Sequence, residues 1–165
     1  MYPGEGAIVL FSGGQDSTTC LYWALRHFAA VHAIGFHYGQ RHSVELAQAH
    51  SIAAQVGVPF HIYPLPALQE MGGNALTDLG IAVGTSTPQS DALPNTFVPG
   101  RNLVFLTLAA GYAYQHHLGH IVGGMCQTDY SGYPDCREPF IRAAEIAVGL
   151  ALDRPLQIHT PLMFL

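Results

Sequence analysis

The chain has 165 residues, about half of them apolar and a tenth charged, with a net charge of −5 and no lysine. That balance fits one globular domain with a core of its own; it excludes a disordered chain and a general nucleic-acid-binding surface, which needs a basic patch. An anionic ligand has to be held by local backbone donors and by a few of the six arginines.

The N-terminus carries Glu5 and no basic stretch, so it does not read as a signal peptide. The apolar run Ala7–Phe11 predicts a buried strand. A small-residue loop follows, then a helix from about Ser17 to Phe28 with Asp16 or Ser17 as its cap. Strand two covers Ala30–Tyr38. Helix two opens at Ser43, has Glu45 in its first turn, and runs to Val56, with Leu46, Ala49, Ala53 and Val56 at helical spacing. Strand three is Phe60–Tyr63. Residues 65–95 lose the rhythm and predict a long loop or lid with one short helical piece. Order returns at Pro99-Gly100-Arg101-Asn102, where Asn102 caps a helix from Leu103 to about Leu118. Strand four is His120–Gly124, a loop spans Met125–Asp135, a helix runs from Arg137 to Leu150, and strand five is Leu156–Thr160.

Strands alternating with helices predict βαβ crossovers and a five-stranded parallel sheet with helices on both faces, a Rossmann-like α/β fold in a single domain. Ligands in such sheets bind beyond the carboxyl ends of the strands. The loops at 12–16, 38–42 and 125–135 all lie at such ends, which points to one site. The longest apolar run, Leu103–Tyr114, is too short for a membrane span. Cys20, Cys126 and Cys136 form no C-x-x-C pair, and an odd count without a secretory signal predicts free thiols in the cytoplasm. His116-His117-x-x-His120 straddles a helix end and a strand start, so its rings should diverge; the reading is helix-terminal histidines, and no metal ligand is expected.

Ser12-Gly13-Gly14-Gln15-Asp16-Ser17 stands between a strand and a helix. Gly13-Gly14 alone is equally a plain turn. Backbone N–H groups of such a loop together with a helix N-terminus also make an anion site. The lack of lysine excludes a Walker A loop, and Gly4 and Gly6 have no third glycine at position 9, so there is no dinucleotide fingerprint.

The six residues resemble the S-G-G-x-D-S signature of the N-type ATP pyrophosphatases, the PP-loop proteins. The resemblance implies cleavage of ATP between its α- and β-phosphates, with AMP passing to a substrate oxygen. It also implies that the Ser12 and Ser17 hydroxyls and the helix N–H groups hold the departing pyrophosphate, and that Asp16 caps the helix or holds Mg²⁺. Four further stretches narrow it: the full run FSGGQDSTTCL, Tyr38-Gly39-Gln40-Arg41-His42 with Glu45-Leu46, Phe97-Val98-Pro99-Gly100-Arg101-Asn102, and Asp129-Tyr130-Ser131-Gly132-Tyr133-Pro134-Asp135-Cys136-Arg137. With Thr160-Pro161-Leu162 they resemble the QueC family, whose members make 7-cyano-7-deazaguanine, over the whole chain and in the same order.

That resemblance implies a carbon–nitrogen ligase of queuosine biosynthesis, a tRNA-modification pathway, acting on 7-carboxy-7-deazaguanine, ammonia and ATP, with no nucleic-acid or membrane partner. It assigns ATP binding to Phe11, Ser12, Gly13, Gly14, Gln15, Asp16, Ser17, Thr18, Thr19, Cys20 and Leu21. Asp16 and Arg101 are the catalytic candidates, Arg101 for a phosphate or the substrate carboxylate because its planar fork suits both. Asp129 and Asp135 are candidates for the donors of a guanine-like base, with Tyr130 or Tyr133 stacking on it; Asp135 reads equally as the cap of the next helix. Arg137 at a helix start hints at an anion partner. Tyr38, Arg41 and His42 face the same crevice from the end of strand two. Cys20, inside helix one, reads as a core residue.

The family carries a C-terminal segment with four zinc-binding cysteines and a lysine soon after T-P-L; the sequence ends at Leu165 and has neither. It is therefore expected to be the N-terminal part of such an enzyme or a shortened version, with zinc assigned to no residue. The uncovered sheet face would favour association, a homo-oligomer included. Two alternatives stay open: another PP-loop enzyme, an amidating synthetase or a tRNA-sulfur transferase, and an ATP-binding module without turnover.

Overall fold

A computed structural model of the chain describes residues 1–39, 43–75, 93–127 and 132–165. Strands β1 (Tyr2–Leu10), β2 (Phe28–His37), β3 (Phe60–Pro64), β4 (His120–Val122) and β5 (Gln157–His159) form one sheet in the order β3-β2-β1-β4-β5. Every neighbouring pair is parallel. Ala7, Ile8 and Val9 are wholly buried, as the central strand of a sheet covered on both faces requires. Alternation then divides the core. Ala7, Val9, Phe11 and Val122 pack with α1 (Gln15–His27) and α2 (Ser43–Val56). Ile8, Ile34, Ile121 and Ile158 pack with α4 (Arg101–Gln115) and α5 (Glu138–Leu152). The short α3 (Pro66–Glu70) follows β3.

The chain runs outward from β1 to β3 and then returns to place β4 on the other side of β1. The connections after β1 and β4 therefore part company beyond the strand ends, which opens a crevice there.

Several boundaries differ from the expected ones. β1 begins at Tyr2 rather than Ala7, because Tyr2 stacks on Phe28 at 4.9 Å and pairs with it across a register shift that absorbs Gly4 and its φ of 84°. α1 begins at Gln15 with Gly14 as its cap residue, so Asp16 and Ser17 lie inside the first turn. Gly100, left-handed at φ 73°, is the cap residue of α4, so Asn102 is a helical residue and not a cap. α4 also stops short of Leu118: the chain leaves the helix at His116 and turns through His117 at φ 57°. α3 is a short helical piece within 65–95, and the N–H of Ala75 donates to the carbonyl of Asn95 at 2.7 Å. Residues 76–92, where the expected lid falls, lie outside the described residues.

The outer edge of β5 is closed by side chains of α5. Glu145 accepts from the Ile158 N–H at 2.5 Å, and Arg142 donates to the Ile158 carbonyl at 3.1 Å. Polar cover of this kind keeps an edge strand from pairing with another chain. Among the described residues no helix is long and apolar enough to cross a membrane.

His120 is buried and lies between Glu5, 2.6 Å from Nε2, and His159, 3.0 Å from Nδ1. His116 instead stacks on Tyr112 at 4.0 Å. Burial, and then the neighbouring His120, lowers the pKa of His159 to about 4; burial, then His116 and His61, lowers that of His32. Both groups bind protons more weakly folded than unfolded. Their stabilisation is complete above the ordinary pKa of 6.5 and is lost as the pH falls below it, for His159 down to about 4. The melting temperature is therefore expected to drop between pH 7 and pH 5, and His159→Gln to flatten the slope; thermal melts across that range check it.

Candidate active site

The loop after β1 is braced by Ser17. Its hydroxyl donates to the Gly14 carbonyl at 3.0 Å, accepts from the Ser12 N–H at 3.3 Å, and lies 3.1 Å from the Ser12 hydroxyl. The first intrahelical bond of α1 is made by the Thr18 N–H to Gly14, so the N–H groups of Gln15, Asp16 and Ser17 precede the ladder. The Thr19 hydroxyl turns back to the Gln15 carbonyl at 3.0 Å. Gly13 has φ 85°, and a Cβ on it would sit 2.6 Å from the Glu45 carbonyl oxygen and 2.8 Å from the Ala49 nitrogen. The loop is thus wedged against the first turn of α2. On its other side Gly124, after β4, comes so close to α1 that a Cβ would lie 3.3 Å from the Asp16 Cβ.

A cavity of about 420 Å³ opens over these strand ends. Ser12, Asp16 and Ser17 line it from the loop, Gly35, Phe36 and Tyr38 from β2 and the residue after it, and Glu45 from α2. Arg101, Asn102 and Phe105 line it from α4, Gly124 to Cys126 from the loop after β4, and Tyr133 and Cys136 from the turn before α5. Phe11 is at its floor, buried and edge-on to Phe60. Cys20 and Leu21 are wholly buried in the α1-side core and do not line it. Burial, and then the Asp16 charge, pushes the Cys20 thiol up to about 12, which leaves it an inert core group.

Among the described residues lining the cavity, Arg101 carries the positive charge. One guanidinium nitrogen donates to the Tyr38 phenol at 3.4 Å, and its carbon lies 5.9 Å from the Phe105 ring centre and 5.8 Å from that of Tyr133. Its Nε is buried without a hydrogen-bond partner, and among the described residues it has no ion pair. Asp16 and Glu45 line the same space without pairing to it. A guanidinium this incompletely satisfied has donors to offer an anion.

Asp135 does a job that neither expectation named, while its Oδ1 is buried without a hydrogen-bond partner. It is buried and does not line the cavity. Its Oδ2 accepts the Asn102 N–H at 3.0 Å, while the Asn102 amide donates to the Asp135 carbonyl at 3.0 Å and to the Cys136 sulfur at 3.3 Å. Asp135 therefore satisfies the N-terminus of α4 from across the fold instead of capping α5. Long-range pairing of this kind leaves no mark at capping distance in the sequence. Arg137 is exposed, occupies the cap position of α5, and donates to the Gly132 carbonyl at 3.3 Å; it does not line the cavity. Arg41, His42, Asp129 and Tyr130 lie outside the described residues. Sequence reasoning passed over Glu45 and Phe105, which line the cavity. The signal available was only their helical phase, and both read as ordinary first-turn and core positions.

A wider groove, about 520 Å³, runs along β5 and α5. Its charged groups Glu138, Arg142 and Glu145 pair with one another, so little is left there for a ligand. The cysteines do not fit a shared zinc ion: Cys20 lies in the core on one side of the sheet and Cys136 in the core on the other.

The family described as "Queuosine biosynthesis protein QueC" matches residues 6–165. A 7-cyano-7-deazaguanine synthase of Chromobacterium violaceum is 58% identical over 163 residues, 98% of this chain and 70% of that protein. The enzyme of the same name from Laribacter hongkongensis is 57% identical over 161 residues, with the same two coverages. That of Bacillus subtilis is 52% identical and is covered over 72% of its length. Among solved structures, a 4-thiouridine synthetase in complex with RNA and bound ATP superposes with a TM-score of 0.60 at 18% identity, over 97% of this chain and 37% of that one. A predicted tRNA methyltransferase subunit from Methanocaldococcus jannaschii superposes with a TM-score of 0.57, also at 18% identity, over 96% of this chain and 68% of that one. At that identity the two structures speak for the fold alone.

Proposed function

The chain belongs to the QueC family of queuosine biosynthesis proteins, and we propose from that premise that its cavity forms a nitrile from a carboxylate at the expense of ATP. The substrate is 7-carboxy-7-deazaguanine. A carboxylate oxygen attacks the α-phosphorus of ATP, the bond to the bridging oxygen breaks, and pyrophosphate leaves. Ammonia adds to the acyl carbon of the mixed anhydride, loses a proton, and expels AMP to give the amide. The amide oxygen attacks the α-phosphorus of a second ATP, with pyrophosphate again departing. Loss of AMP and of both protons on the nitrogen leaves the C≡N bond.

The chain's own residues hold and neutralise. The N–H groups at the start of α1, with the Ser12 hydroxyl, receive the pyrophosphate, and Ser17 keeps the loop in shape. Asp16 is exposed to the cavity and has no hydrogen bond among the described residues. That carboxylate fits a magnesium ion, which would supply further neutralisation of the phosphates. Arg101 receives an oxyanion. The observation that carries the reading is this pairing, in one cavity, of a braced loop of free N–H groups with a half-buried arginine whose buried Nε lacks a partner. Holding ATP and the acid together contributes to the acceleration beside this charge stabilisation.

The experiment supplies ATP, ammonia and 7-carboxy-7-deazaguanine and follows pyrophosphate and product mass. Two pyrophosphates per nitrile are expected. ATP binding without substrate-dependent pyrophosphate would show a module that does not turn over, and turnover with a different carboxylate would overturn the substrate assignment.

A further inference from the structure

We infer that Phe105 and Tyr133 form an aromatic slot that presents the edge of the Arg101 guanidinium to the substrate carboxylate, with Thr96 as the outer anchor of the slot; the inference rests on the reaction proposed above.

The guanidinium carbon lies 5.9 Å from one ring centre and 5.8 Å from the other, within the range of cation–π attraction. Each ring is fixed from behind. Phe105 stacks on Phe36 at 4.2 Å with 10° between the planes, which ties it to the end of β2. The Tyr133 hydroxyl is 2.6 Å from the Thr96 hydroxyl, and its ring packs 5.5 Å from Phe97. Attraction to ring faces restrains a guanidinium without consuming its N–H groups, which lie in its plane. A salt bridge would have consumed them, yet Asp16 and Glu45, both at the same cavity, are left unpaired with Arg101. Among the described residues the guanidinium's hydrogen bond runs to the Tyr38 phenol at a long 3.4 Å. The remaining in-plane donors match a planar carboxylate in two parallel hydrogen bonds. In the reaction proposed above pyrophosphate takes the α1 N–H groups, so among the described residues the acid is the anion without another receiver. Tyr133 thereby becomes a platform for the arginine rather than for the base.

The test compares Tyr133→Leu, Tyr133→Phe and Thr96→Val with the unchanged protein. KM is measured for the acid and for ATP, and binding of the nitrile product, which has no carboxylate, is measured by calorimetry. Tyr133→Leu is expected to raise KM for the acid about tenfold, with KM for ATP and nitrile binding within about twofold. Tyr133→Phe keeps the ring and Thr96→Val removes its anchor; both lose the same hydroxyl contact and should show the same smaller rise of about two- to threefold. A general loss of structure would move all three readouts together. Equal shifts in the acid and ATP constants, or an unchanged acid constant in Tyr133→Leu, would overturn the slot. Failure of the unchanged protein to use the acid at all would overturn the proposed reaction instead, so the two failures are distinguishable.

Discussion

Asp16→Ala is expected to reduce substrate-dependent pyrophosphate release by about a hundredfold or more, with stability changed by no more than about 0.5 kcal/mol. The two halves of that expectation come from the same geometry. The carboxylate projects from the first turn of α1 into the cavity, is exposed, and has no hydrogen bond among the described residues, so the fold loses no contact with it. The reaction loses the negative charge nearest the phosphate loop and with it the group that fits a magnesium ion. Asp16→Asn separates charge from shape: it keeps the volume and the acceptor oxygen but not the charge, and should be nearly as inactive. Pyrophosphate release and thermal melts on the same preparations check both, and unchanged turnover in Asp16→Ala would remove this residue from the mechanism.

Gly13→Ala is expected to damage both fold and function, and Gly14→Ala to leave the fold intact. At Gly13 the backbone is left-handed at φ 85°, and the added methyl would meet the Glu45 carbonyl oxygen at 2.6 Å, the Ala49 nitrogen at 2.8 Å and the Ala49 Cβ at 3.0 Å. Two of those neighbours are backbone of α2 and the third is a Cβ fixed to it, so none can swing aside. Strain from the positive φ alone costs about 1–2 kcal/mol, and relief of the clash requires the loop to part from α2. A total loss of about 2–4 kcal/mol and the disappearance of measurable ATP binding are expected. At Gly14 φ is −73° and the nearest atom to an added methyl is the Ser12 hydroxyl oxygen at 3.5 Å, ordinary contact. Urea unfolding of the two variants, with ATP titration, is the check; equal stability of the two would contradict the wedge against α2.

The layered parallel sheet was legible because its causes are local. Apolar runs of strand length and helical spacings such as Leu46, Ala49 and Ala53 state which segments are buried and with what period. Places where the reading slipped share one feature: the deciding partner is far away in sequence. Tyr2 is a strand residue because Phe28 stacks on it. Asn102 reads as a cap, yet it is the acceptor on Asp135 that satisfies its N–H. Arg137, in the cap position of α5, is taken up by the loop it leaves.

By itself the sequence determined the chemistry on offer: a lysine-free phosphate loop between a strand and a helix, motifs that resemble one family throughout, and an arginine at a helix start. It could do so because a loop's hydroxyls, glycines and charge are written in consecutive residues. Only the tertiary structure decided which members of those motifs meet. The crossover to β4 brings Arg101 over the loop of β1, and the connection that leaves β4 brings Tyr133 there, buries Asp135 and sends Arg137 to the surface. Tyr133, Asp135 and Arg137 sit within five consecutive residues, and their separation into slot, cap and surface follows from the direction each side chain takes when a turn is packed against a helix 33 positions away.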